Sequence, residues 1–132
     1  MCLITYNKGK IAEKPIKVYK IMRLDKERKD YDYFFPIQRE KGANIGDTVK
    51  ASVDNEPKTE GILETQYYVI HGEGVHAYVT YGDALKSWVY CYICGAILTE
   101  WEIPAGAKYW DGDYYNEGEI AATEMKFIKA CK

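Results

Sequence analysis

Four cysteines, two histidines and a pair of strand glutamates are the residues of this chain whose types and spacing could do chemistry. Cys91-Tyr-Ile-Cys94-Gly95 has the two-residue spacing and trailing glycine of a zinc-binding turn, and Cys2 and Cys131 could complete four sulfur ligands. Two of those ligands would have to come from opposite chain ends, since no second Cys-x-x-Cys or Cys-x-His pair exists. Tyr92 and Ile93 are also bulky where such turns carry small or polar residues. Reduced cysteines are among the residues most often buried, so the expectation is reduced thiols, no metal and no cofactor. A dithiol redox centre lacks the βαβ context it needs. Cys2, if Met1 were removed, could serve as an N-terminal nucleophile with its own α-amine as base, but the expected role is a core position in the first strand.

His76 alternates with Val75 and Ala77, just ahead of Thr80-Tyr-Gly-Asp83. A histidine so placed is either a structural hydrogen-bond partner or a ligand donor and general base in a cleft. Tyr78, Thr80, Trp101 and Tyr109 are the residues that could line that cleft with it. His71 sits beside Gly72 and is expected in a surface turn. Glu100 and Glu102 are two apart and share one strand face, which suits either a solvated face or an acid–base pair. The chain has no phosphate-binding loop, nucleophile elbow or dinucleotide fingerprint.

The elements that must position these groups are mostly strands. They are expected near residues 1–6, 15–22, 31–35, 48–53, 65–70, 75–79, 96–103, 107–110, 119–122 and 125–129. Each is short, rich in β-branched or aromatic residues, and bounded by Gly, Pro, Asn or Asp. Residues 25–30 and 54–61 read as exposed loops, and Ile103-Pro-Ala-Gly106 as a turn between two strands. One helix is predicted from Tyr81 to about Tyr90. Thr80 and Asp83 fit a capping box, Leu85, Trp88, Val89 and Tyr92 fall on one face, and Gly95 suits the exit. The expected fold is α+β, a single domain over 1–132 of mostly antiparallel sheet, with that principal helix packed on a sheet face.

A chain of 132 residues can bury about two-thirds of its unfolded surface without a disulfide or metal. The 13 tyrosines are the unusual count. Half-buried strands favour aromatics, and so does a binding surface, where Tyr and Trp supply rigid amphipathic area. A net charge of −2 argues against nucleic-acid binding. Residues 1–29 nevertheless hold nine basic against three acidic side chains, a net of +6, and the remainder nine against seventeen, a net of −8. Ile16, Val18, Tyr19 and Ile21 interleave with the lysines, which marks a strand rather than a basic tail; a solvated edge strand guarded by lysines is expected over a basic strip for an anionic partner. No apolar run is long enough for a signal peptide or a membrane span, so a cytoplasmic protein with reduced cysteines is expected.

Several short patterns together resemble a family of small bacterial and phage-associated proteins of unknown function. They are the Met-Cys start, Ile16-Lys-Val-Tyr-Lys20, Ile45-Gly-Asp-Thr-Val-Lys-Ala51, Gly74-Val-His-Ala-Tyr78 with Asp83-Ala84, Ile103-Pro-Ala-Gly-Ala-Lys-Tyr109 and Glu119-Ile-Ala-Ala-Thr123. The resemblance covers nearly the whole chain and implies one compact domain without a named activity. A weaker resemblance is to the mono-ADP-ribosyltransferases. Arg23 after an early strand, His76 with Thr80, and Glu100 or Glu102 ahead of the Pro-x-Gly turn occur in a similar order. The expected function is a small binding module for a small molecule or a protein, using His76, Tyr78, Thr80, Trp101 and Tyr109. The alternative is a divergent ADP-ribosyltransferase-like enzyme built on Arg23, His76 and Glu100 or Glu102.

Overall fold

Strands occupy nearly every segment that the alternation of apolar residues assigns to them. The computed structural model describes residues 2–5, 9–25, 27–35, 41–50, 57–60, 65–71, 76–87, 95–112 and 118–131, with backbone pairing alone for 2–5, 57–60 and 65–71. The strands are β1 (Cys2–Thr5), β2 (Lys10–Ile11), β3 (Ile16–Arg23), β4 (Tyr33–Phe34), β5 (Gly42–Ala43), β6 (Thr48–Lys50) and β7 (Pro57–Glu60). They continue as β8 (Thr65–His71), β9 (His76–Tyr78), β10 (Ala96–Ile103), β11 (Lys108–Asp111), β12 (Glu119–Ala122) and β13 (Glu124–Ala130), with the helix α1 (Tyr81–Lys86) between β9 and β10. Every described pairing is antiparallel.

The larger sheet runs β2-β11-β12-β9-β3-β10-β13-β6, and the smaller runs β1-β8-β7. β3 is the spine. One edge pairs with β10 along its whole length, from Ile16↔Ile103 to Arg23↔Ala96. The other edge forks, pairing with β9 at Tyr19↔Tyr78 and with β4 at Arg23↔Phe34. Among the described residues no strand pairs with that edge between these two points.

Alternation divides the side chains of the larger sheet between two faces. Val18 and Met22 of β3 join Ala77, Trp101, Ile103, Ile120, Ala122, Met125 and Phe127 in the main core. The opposite face carries a smaller cluster of Ile21, Tyr78, Ala84 and Leu98, with Tyr19, Leu85 and Cys131 against it. Trp101 stacks on Phe127 at 4.7 Å between ring centroids, and Tyr33 meets Phe127 edge-on at 5.0 Å. Such aromatic pairs contribute about 1 kcal/mol beyond the area they bury.

The expected Pro-x-Gly turn, and a second turn at Gly46, form as their glycines require. Gly106 lies at φ 90°, where Ala107 N–H donates to the Pro104 carbonyl at 3.1 Å. Gly46 lies at φ 98° inside the turn that Asp47 N–H closes onto the Asn44 carbonyl at 3.0 Å. Each glycine takes a left-handed conformation that an L side chain resists.

The helix is shorter than expected. Thr80 is its N-cap: the Asp83 N–H donates to Thr80 Oγ1 at 3.1 Å, and the Thr80 hydroxyl donates to Asp83 Oδ2 at 2.7 Å. The far end comes at Lys86 rather than near Tyr90. Ser87 is extended at ψ 144°, and its hydroxyl donates to the Ala84 carbonyl at 2.7 Å. A serine that bonds backward in this way competes with the helical ladder. Trp88, Val89 and Tyr92 lie outside the described residues. Gly95 does not serve as the helix exit: at φ 78° its carbonyl accepts from Leu24 N–H at 3.0 Å, which opens the β3–β10 ladder.

Within the expected loop at 54–61, the described residues 57–60 depart from expectation. Pro57–Glu60 is an edge strand paired with β8, and Pro57 stands at its first position, where a missing N–H is tolerated. His71 ends β8 opposite Cys2 rather than lying in a turn.

Candidate functional site

A lysine stands on the inward face of β3 where the alternation calls for an apolar residue. Lys20 lies between Val18 and Met22 and is only 6% exposed. Its Nζ donates to the His76 carbonyl at 2.5 Å, at the level where β9 parts from β3. The rings of Phe35 and Trp101 each lie 5.5 Å from Nζ. No carboxylate of the described residues pairs with it. Burial therefore dominates its ionisation and pushes the amine down to about 7, because desolvation penalises the charged form. Near neutral pH the side chain is divided between ammonium and amine.

The enclosure is held from several elements. Trp101 Nε1 donates to Thr99 Oγ1 at 2.8 Å, and the Thr99 hydroxyl donates to the Lys20 carbonyl at 2.8 Å. That chain fixes the indole plane against β3. Phe35, just past β4, is anchored by its N–H donating to the Lys41 carbonyl at 3.0 Å and lies 6.4 Å from Trp101. The two rings attract the ammonium through their quadrupoles, but among the described residues only one of its three N–H groups meets an oxygen acceptor. The arrangement suits a neutral amine with a usable lone pair.

The structure does not gather the five residues expected to form a cleft. His76 and Tyr78 are buried, at 8% and 9% exposure, on the α1 face of the sheet. Burial raises the Tyr78 phenol above its usual value, against a smaller opposing effect from its hydrogen bond with Ser87. Thr80 is exposed and occupied with capping. Trp101 is fully buried in the main core, on the opposite face from Tyr78, so it is no wall for a site at the start of α1. Tyr109 packs half-buried against that same core. Odd and even positions of β10 point to opposite faces, and Trp101 takes the inward one. Two of the five do meet, however: the His76 carbonyl and the Trp101 ring both contact Lys20.

The register also sets the alternative group apart. Arg23 lies opposite Ala96, whereas Glu100 lies opposite Tyr19 and Glu102 opposite Lys17. At the usual strand rise these levels are about 13 and 20 Å from Arg23. Ile21 and Leu98 of the smaller cluster lie between, and Glu100 faces Lys17 at 3.7 Å. Cys91 and Cys94 lie outside the described residues. Cys131 is a free, half-buried thiol raised above its ordinary value chiefly by burial.

Lys20, Phe35 and Thr99 were not singled out by sequence reasoning. The signal was present in Val18-Tyr-Lys20-Ile-Met22, where a lysine occupies an apolar register. It was obscured by the eight other basic residues nearby. Comparison of the chain with protein-family models, curated proteins and solved structures finds no match in any of the three. The family resemblances therefore rest on their short motifs alone. Among the described residues no helix is long and apolar enough to cross a membrane.

Proposed function

We propose that this protein is a binding module for a small, flat, largely apolar molecule carrying a hydrogen-bond acceptor, received against Lys20 beside Phe35 and Trp101. The observation that carries this reading is the Lys20 amine, buried with one acceptor among the described residues and flanked by two aromatic rings. Small-molecule sites combine apolar walls with a few fixed polar groups, and strongly shifted ionisable groups concentrate at such places. Lys20 reaches the His76 carbonyl at the forked edge of β3, between the Tyr19↔Tyr78 and Arg23↔Phe34 pairs.

A protein-interaction role is the second reading, supported by Val79 and Tyr81, which stay 40% and 45% exposed. Tyr81 meets Tyr19 edge-on at 5.9 Å, which holds it in place.

A small-molecule screen by thermal shift, followed by nitrogen-edited NMR of the tryptophan indoles, separates the two. The expected result is ligands that shift the Trp101 Nε1 resonance and lose affinity for Lys20→Met. Ligands that leave that resonance unmoved and bind both proteins equally would refute a site at Lys20.

A further inference from the structure

We infer that Lys20 is a carbonyl-capturing residue, whose amine at the β3 fork condenses with an aldehyde or ketone to form an imine. This deepens the proposed binding function and rests on it. Among the described residues Nζ makes one hydrogen bond, to the His76 carbonyl, and faces aromatic rings on two sides. A neutral amine satisfies that carbonyl with one N–H and keeps its lone pair for attack. Desolvated lysines in apolar surroundings are the form of this side chain that acts as a nucleophile toward carbonyls.

The step balances without a cofactor. The nitrogen lone pair bonds to the carbonyl carbon, and the C=O π pair takes a proton to give a carbinolamine. The hydroxyl then departs as water with the second amine proton, and the C=N bond forms. When the imine takes up a proton from solvent, the single N–H so formed points back to the acceptor the amine used, the His76 carbonyl. Val18, Met22 and Trp101, all fully buried around Lys20, keep bulk water from the product and so oppose hydrolysis. An aromatic or short-chain aldehyde suits the site, because its body would lie against Phe35 and Trp101.

The test uses 3-phenylpropanal with sodium cyanoborohydride at pH 7, and 3-phenylpropanol as the non-condensing control. At that pH about half of Lys20 is amine, against about one in a few thousand for an exposed lysine. Peptide mass mapping should therefore find Lys20 alkylated about ten-fold or more over Lys17, Lys108 and Lys126, even after burial slows access. The Lys20→Met protein should lose that adduct alone. In wild type, the Lys20 trapping rate should level off above about pH 7, while exposed lysines continue to rise. That profile serves if the variant does not fold.

No Lys20 adduct, while the alcohol still moves the Trp101 indole resonance, would overturn the imine and leave the binding reading standing. If neither probe moves that resonance and labelling is uniform over the exposed lysines, both readings fall.

Discussion

Replacing Lys20 with methionine should make the protein more stable at neutral pH, and less markedly so as the pH rises. In the unfolded chain the amine titrates at its ordinary 10.5, and in the fold at about 7. Folding therefore releases a proton between those values, so the unfolded state binds more protons and stability climbs with pH across that window. Below about pH 7 both states are charged and the full cost of burying the ammonium is present. A depression from 10.5 to about 7 corresponds to a ceiling of about 5 kcal/mol at 1.36 kcal/mol per unit.

Methionine matches the length of the side chain but leaves the His76 carbonyl without its donor, which costs about 1 kcal/mol. The net gain for Lys20→Met is about 4 kcal/mol at pH 6. It falls by about 1.4 kcal/mol per pH unit above 7 and approaches zero near pH 9.5. Urea melts of both proteins at pH 6, 7.5 and 9, followed by tryptophan fluorescence, measure the difference directly, and other titrating groups cancel between them. A difference that does not change with pH, or a variant less stable at pH 6, would refute the account of Lys20 as a desolvated amine.

Thr80→Ala should cost about 1 kcal/mol, the usual worth of an N-cap, and an unchanged denaturation midpoint would remove Thr80 from that role. Gly118→Ala should cost about 2 kcal/mol or more, since the residue lies at φ 84° and its Cβ would stand 2.7 Å from the Asp83 carboxyl carbon. Gly106→Ala, with a similar φ of 90° and open space around it, should cost less, and equal losses at the two glycines would argue against the Asp83 contact. The Thr80 and Gly118 changes both disturb Asp83, so the double variant should lose less than the two single losses combined. Cys131, raised by burial, should react with a disulfide reagent at pH 8 more slowly than a model thiol, and equal rates would contradict its environment.

Strand existence was legible because the alternation is strong. The pattern of β10 appears in Ile97, Thr99, Trp101 and Ile103, and the Pro-Ala-Gly turn after it follows from glycine's freedom at φ 90°. The cap at Thr80 was equally legible, being local. The helix end was not, since Ser87 halts it by a backward hydrogen bond that residue propensities do not show. β7 was missed because Pro57–Glu60 is polar and owes its form to β8. The expected cleft failed at Trp101 for a related reason: alternation fixes that two residues share a face, but only the assembled sheet decides which face is inward. Lys20 was hidden among basic neighbours of similar type. Its difference is one of register, and register became visible only once Val18 and Met22 were known to be core.

The forked edge of β3 also has a mechanical consequence. In the larger sheet, β2, β11, β12 and β9 form one ribbon, and β3, β10, β13 and β6 another. Among the described residues the ladder between them has a single rung, Tyr19↔Tyr78, and Lys20 reaching the His76 carbonyl is a second, side-chain rung beside it. Under load the sheet has a seam at this point, where the ribbons are joined by core packing and a lysine instead of a continuous backbone ladder. Amides within β3 and β10, locked along eight paired positions, should outlast those of β9 in hydrogen exchange. The state of one amine then bears on how firmly the two ribbons are stitched together.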